Sequence, residues 1–183
     1  SRFPPTDDGT FYDILARRIA DGHGYTWLWP DGVVTPTAHY PVGYPAALGL
    51  AYRLFGPHPG LAMLLGAGLA ALATAVLHGS LKSSLGYRGS AAAALVFALR
   101  PALISYTPAL MTEGVTASLY ALALAAFIQM LGTPAARGRA LWGLCTALVI
   151  AAATYVRPQS IVLGPFLALG YLLGGRLERG RLL

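Results

Sequence analysis

The sequence predicts an all-α polytopic membrane protein, and three observations carry that prediction. Hydrophobic residues make up 56% of the 183 positions and charged residues 11%, against roughly 25% charge in an ordinary water-soluble domain. The charge is also confined, because residues 60–78, 114–131, 141–156 and 158–175 contain none at all. What charge remains is sorted by position along the chain, with five of the seven acidic residues before the apolar stretches and nine of the thirteen basic residues after position 59. Disorder is excluded by the same composition. A single cysteine, Cys145, excludes an internal disulfide and a zinc-thiolate site.

The polar part comes first. Residues 1–59 read as an extracytoplasmic loop with interfacial helices, and they hold five Asp against four Arg. A short helical pattern covers Thr10 to Asp21, with Phe11, Leu15 and Ile19 four apart on one face; Asp8 is placed to cap it and Gly22 to end it. Too short to span, this helix suits the membrane surface. Pro30, Pro36, Pro41, Pro45, Pro57 and Pro59 then punctuate the chain, which reads as a packed loop with one short helix at Ala46 to Phe55. Trp27, Trp29, Tyr40, Tyr44 and Tyr52 concentrate here, and such rings favour a bilayer interface.

Residues 60–183 read as a transmembrane region with about five spans. The first, 60–78, is about 28 Å long at 1.5 Å per residue, close to the hydrocarbon thickness. The others are 89–107, interrupted by Arg100 and Pro101, then 114–131, 141–156 and 158–175, the last two short or tilted. Lys82 and Arg88 link spans one and two, Arg137 and Arg139 link three and four, and Arg176, Arg179 and Arg181 stand against Glu178 in the tail. Five consecutive crossings put all of these on one side, which the positive-inside rule makes cytoplasmic, with the acidic segment outside. The chain opens on Ser with no anchor before its surface segment. A preceding spanning helix is therefore expected, and the sequence reads as a piece of a larger membrane protein.

Several residues need a reason. Asp7 and Asp8 precede the surface helix, as an N-cap or as a base whose pKa the membrane boundary tunes. Arg100 lies deep in an apolar stretch, where an arginine costs about 2.5–3.5 kcal/mol. It faces a cavity or anion there, or else the helix kinks at Pro101 near the interface. Glu113 either favours the start of a helix dipole or joins Asp8 as a second carboxylate. Arg157, before Pro158, either snorkels to the interface or clamps a phosphate with its five donors. His23, His39, His58 and His78 show no metal-ligand spacing, so no cofactor is signalled, and a divalent cation held by carboxylates stays open. No basic patch interleaved with aromatics stands outside the membrane, so nucleic acid is not an expected partner.

Three stretches resemble a known family. They are Asp8-Gly9-Thr10-Phe11-Tyr12-Asp13-Ile14-Leu15-Ala16 with Ala20-Asp21-Gly22-His23-Gly24-Tyr25; Tyr40-Pro41-Val42-Gly43-Tyr44-Pro45 with Tyr52-Arg53-Leu54-Phe55-Gly56; and Met111-Thr112-Glu113 with Tyr155-Val156-Arg157-Pro158-Gln159. In this order they are similar to the integral-membrane glycosyltransferases of the GT-C superfamily, in the branch of protein O-mannosyltransferases and the lipid A aminoarabinose transferase. The resemblance implies a GT-C-like helical bundle with a juxtamembrane helix in its first extracytoplasmic loop. It implies a catalytic aspartate four residues before an aromatic, here Asp8 before Tyr12, with Gly9 where an acidic neighbour is usual and Asp7 on the other side. Glu113 matches a second acidic position near the donor site, and Arg157 an arginine that meets the lipid phosphate. Arg100 has no family counterpart. The expected catalytic residues are thus Asp8 and Glu113, and the substrate-binding ones Asp7, Tyr12, Tyr44, Arg100 and Arg157. The first spanning helix is implied to be missing here, and further helices of the same protein to follow Leu183.

The implied reaction moves a sugar from a polyprenyl phosphate to an extracytoplasmic acceptor with inversion. Asp8 would take the acceptor's proton, and Arg157, with Arg100, would stabilise the leaving polyprenyl phosphate. The expected partners are the lipid-linked sugar, membrane lipids and an acceptor the sequence does not name. The expected location is a bacterial cytoplasmic membrane, since Ala, Gly and Arg richness matches high-GC bacterial coding. A transporter or flippase using Arg100 and proline-broken helices is the rival reading, and a noncatalytic membrane scaffold is the third.

Overall fold

A computed structural model describes residues 8–106 and 110–180. Asp7, expected beside the base, lies outside the described residues, as do Thr107 at the end of the expected second span and Arg181 in the tail. The chain runs through α1 (Asp8–Ala20), β1 (Thr26–Leu28), β2 (Val34–Pro36), α2 (Gly43–Phe55), α3 (Pro59–Ala98), α4 (Pro101–Tyr106), α5 (Thr112–Gly132), α6 (Ala136–Val156), a 3-10 turn (Pro158–Val162) and α7 (Leu163–Gly180).

Helix α1 begins at Asp8 and ends in a Schellman motif. The His23 amide donates to the Arg18 carbonyl and the Gly22 amide to that of Ile19, with Gly22 at φ +85°. Its buried face differs from the expected Phe11–Leu15–Ile19 stripe: Tyr12, Asp13, Leu15 and Ala16 are buried and Phe11 stays exposed. The reason is α2, which packs along α1. A Cβ on Gly49 would lie 2.9 Å from the Ala16 carbonyl oxygen, so this crossing selects the face that carries Ala16. Asp13 is tolerated there because Tyr52 donates to its Oδ1 at 2.6 Å and Arg17 Nε to its Oδ2 at 2.8 Å.

Two departures from the expected loop lie between these helices. Thr26–Leu28 and Val34–Pro36 pair antiparallel, Trp27 opposite Thr35, across a turn containing Pro30-Asp31-Gly32. The prolines that argued for irregular chain sit in the turn and at the strand end, where a ladder loses nothing. Helix α2 starts at Gly43 rather than Ala46 because Pro45 falls in its first turn, where the missing N–H has no helical partner to lose. Tyr44 and Tyr52, read as interfacial, are buried in protein.

The long element α3 is two helices. At Gly86 the backbone takes φ 67° and ψ 178°, and the chain reverses. A continuous helix would hold His78 and Tyr87 about 13 Å apart along its axis; their rings meet at 5.4 Å. Phe97 likewise packs on the Ala73–Leu77–Ala121–Ala125 cluster, which includes two residues from the middle of the first leg. The returning leg, Tyr87–Ala98, breaks at Leu99 and Arg100 before Pro101, which cannot donate into the helix. Among the described residues three elements, α3, α5 and α6, are long and apolar enough to cross a membrane, and Pro158–Leu173 forms a shorter apolar helix. The segment after Pro158 opens with the 3-10 turn, so α7 starts at Leu163. Helix α5 is central, packed on α6 along its length and on α3. Gln129 of α5 donates to Ser80 of α3 at 3.3 Å, and Tyr120 of α5 to Ser160 at 2.9 Å.

These antiparallel passes bring the start of α5, the end of α6 and the α1–α2 pair to one end. The turns carrying Lys82, Arg88, Arg137 and Arg139 lie at the other.

Candidate functional site

The site is built where the N-terminal pair meets the helix ends. Arg157 follows the last residue of α6 in extended backbone (φ −142°, ψ 112°), which turns its side chain toward the first turn of α5. There Nε donates to Thr112 Oγ1 at 2.9 Å, and an Nη donates to Glu113 Oε1 in an ion pair. The other carboxylate oxygen, Glu113 Oε2, is buried and has no hydrogen-bond partner among the described residues. Two opposite charges thus hold one another at the helix ends, with the pair still partly open to solvent.

From the other side, Asp8 opens α1 and accepts the Tyr40 phenol at 2.7 Å through Oδ1. Tyr12, one turn further along α1, is the piece in between. Its ring makes edge contacts with Tyr40 (5.0 Å) and Tyr44 (5.2 Å). Its pKa is raised, chiefly by burial; a hydrogen bond from Thr112 works the other way, the Asp8 and Glu113 charges add to the rise, and Arg157 opposes it. The Tyr12 phenol therefore senses Asp8, Glu113 and Arg157 together. Tyr40 is pushed up to about 12, first by its hydrogen bond to Asp8. Burial raises Tyr44 well above the ordinary phenol range. Tyr25 donates to the Tyr40 carbonyl and so fixes the loop that carries Tyr40.

Of the residues singled out in the sequence, Asp8, Tyr12, Tyr44, Glu113 and Arg157 come together here. Arg100 stands in the break before α4 with an exposed side chain, and no hydrogen bond or ion pair joins it to the cluster among the described residues. Two participants escaped sequence reading. Tyr40 is reached through a fold-back of 32 positions, and Thr112 looked like an ordinary helix-start residue, although its place beside Glu113 in an apolar context was a signal. Among the described residues no three His, Cys, Asp or Glu gather as a metal site.

An apolar groove of about 710 Å³ lies between α5, α6 and α7, lined among others by Ile150, Thr154, Tyr155, Ile161 and Pro165. Tyr155, in its lining, precedes Arg157 by two positions in the chain.

A multi-pass membrane protein with an acid–arginine–tyrosine cluster at one end of its helices is the class this arrangement defines. Residues 39–183 match the family model described as dolichyl-phosphate-mannose-protein mannosyltransferase. The chain belongs to this family of GT-C-like glycosyltransferases. The match includes Tyr40, Tyr44, Arg100, Glu113 and Arg157, and begins after Asp8 and Tyr12. No match is found among curated proteins or among solved structures.

Proposed function

We propose that this chain carries the catalytic centre of an inverting glycosyltransferase that takes its sugar from a polyprenyl phosphate, on the outer face of a bacterial cytoplasmic membrane. Family membership supports the reaction class. The observation that carries the site is the Tyr12 phenol, set between Asp8 on one side and Thr112, Glu113 and Arg157 on the other. Asp8 joins this cluster through Tyr40, whose ring meets that of Tyr12 at 5.0 Å, and Arg157 joins it through Thr112.

In this reading Asp8 is the base. Its carboxylate takes the proton of the acceptor hydroxyl as that oxygen attacks the anomeric carbon, and the bond from that carbon to the phosphate oxygen breaks on the opposite face. Arg157 meets the charge developing on the leaving polyprenyl phosphate, where preorganised donors contribute most. Glu113 positions Arg157 through Oε1 and offers Oε2 to a hydroxyl of the donor sugar. The apolar groove lined by Tyr155 accepts the prenyl tail. Tyr12 and Tyr44 wall the site, and Asp7 adds negative charge beside Asp8. The region 1–59 forms the outer loop and 60–183 the membrane part, with the basic turns in the cytoplasm.

Asp8→Asn tests the proposal, because it keeps size and the hydrogen bond from Tyr40 while removing the base. With labelled polyprenyl-phosphate sugar and membrane extract as acceptor source, transfer should fall at least a hundredfold while the protein stays folded. Retained transfer would exclude Asp8 as the base.

A further inference from the structure

A second cavity, of about 670 Å³, opens between α1 and the β1–β2 hairpin, within the range of small-ligand sites. Its walls are rings. Phe11 lies 5.0 Å from Trp27 and 5.6 Å from Tyr40, centroid to centroid, and Trp29 completes the lining from the end of β1. Phe11 and Trp29 are 39% and 49% exposed, so ring surface remains open. Thr35, Thr37 and His39 line the cavity with the rings, whereas among the described residues no Asp, Glu, Lys or Arg does. Tyr40 belongs both to this wall and to the candidate centre, since its phenol donates to Asp8.

We propose that this cavity is the acceptor subsite and that its occupant is a neutral saccharide, one ring of a glycan whose free hydroxyl is presented to Asp8. The inference rests on the transferase reading and names its acceptor class. A sugar ring has a polarised C–H face that suits the negative faces of indole and phenol, and a hydroxyl rim that suits Thr35, Thr37 and His39. A phosphorylated or carboxylated acceptor would need a cation in the lining, and the described residues supply none. A Ser/Thr peptide would be held by main-chain hydrogen bonds along a strand edge; the hairpin has free edges, but the cavity is walled by side-chain rings, so the peptide is the rival occupant that the test decides against. In the transfer itself the acceptor O–H gives its proton to Asp8 and a new bond joins that oxygen to the donor's anomeric carbon. The electron pair of the broken carbon–oxygen bond leaves with the polyprenyl phosphate.

The test uses the full chain in detergent micelles and saturation-transfer NMR with mannotriose and cellotriose, beside a threonine-containing hexapeptide. At least one trisaccharide should bind through its C–H protons, Trp29→Ala should weaken that binding tenfold or more, and Gly68→Ala, outside the cavity lining, should leave it unchanged. Binding of the peptide alone, binding of nothing, or a trisaccharide affinity indifferent to Trp29→Ala would overturn the proposal. So would quenching of Trp29 by brominated-lipid vesicles with no response to sugar, since the cavity would then be a membrane contact. Saccharide binding that follows this pattern in a protein unable to use any polyprenyl-phosphate sugar would instead sink the transferase reading alone.

Discussion

Gly43, in the first turn of α2, lies against the backbone of Tyr155 near the end of α6, so closely that a Cβ there would stand 2.5 Å from the Tyr155 carbonyl carbon and oxygen. This contact seats the N-terminal pair on the membrane bundle, two residues from Arg157. Gly43→Ala should push α2 away and cost about 1–3 kcal/mol of stability, with loss of transfer. Gly68→Ala, where a Cβ would meet nothing within 4 Å, should be neutral or stabilising by up to about 1 kcal/mol. Melting temperatures of the two variants in one detergent check the contrast.

Arg157 and Glu113 form a pair about a third exposed, at 32% and 28%. Arg157→Ala should lower transfer at least a hundredfold and destabilise by only about 1 kcal/mol, because solvent screens such a pair. Adding Glu113→Gln should restore the stability and leave transfer low. A double variant that regained activity would show that the arginine acts only as a strut.

The Asp13 carboxylate should behave oppositely to that of Asp8. Tyr52→Phe removes one of two hydrogen bonds to a carboxylate that is 7% exposed, at a cost of about 1–3 kcal/mol. Transfer per folded molecule should hold. Thermal melts and specific activity, measured side by side on Tyr52→Phe and Asp8→Asn, separate the two carboxylates.

Alkaline pH gives a further reading of the Asp8–Tyr40 bond. Tyr40 ionises at about 12 in the fold and at 10.0 when unperturbed, chiefly because of its hydrogen bond to Asp8. The folded form thus holds its proton more tightly, so this stabilisation is complete below pH 10 and disappears as pH climbs to about 12. Tyr40→Phe should flatten the fall in stability across that window. In the 295 nm titration of the folded protein it should also remove one late-ionising phenol.

How much could be read from sequence follows from what each residue costs. Arg157 and Glu113 stood out because charge beside an apolar span is expensive, and the turn at Gly86 was marked by Lys82 and Arg88 on either side. Asp13 did not stand out, since a carboxylate on a short amphipathic helix looks like surface until Tyr52, 39 positions on, arrives to bond it. The hairpin was hidden by Pro30 and Pro36, whose strand-breaking signal is strong wherever it falls. The interruption of the second span at Arg100 and Pro101 was legible, because a proline inside an apolar run cannot donate into the helix. Tyr40 could not be paired with Asp8 by any local pattern.

Tyr12 gathers groups contributed by residues 8, 112, 113 and 157. In the proposed reading, then, no competent centre exists during synthesis until the helix ending at Val156 has folded back on its neighbours. Closures over such long sequence distances form late. A nascent chain is accordingly inert toward lipid-linked sugar for most of its time on the ribosome, and a truncation before position 157 leaves the acidic half without its cation.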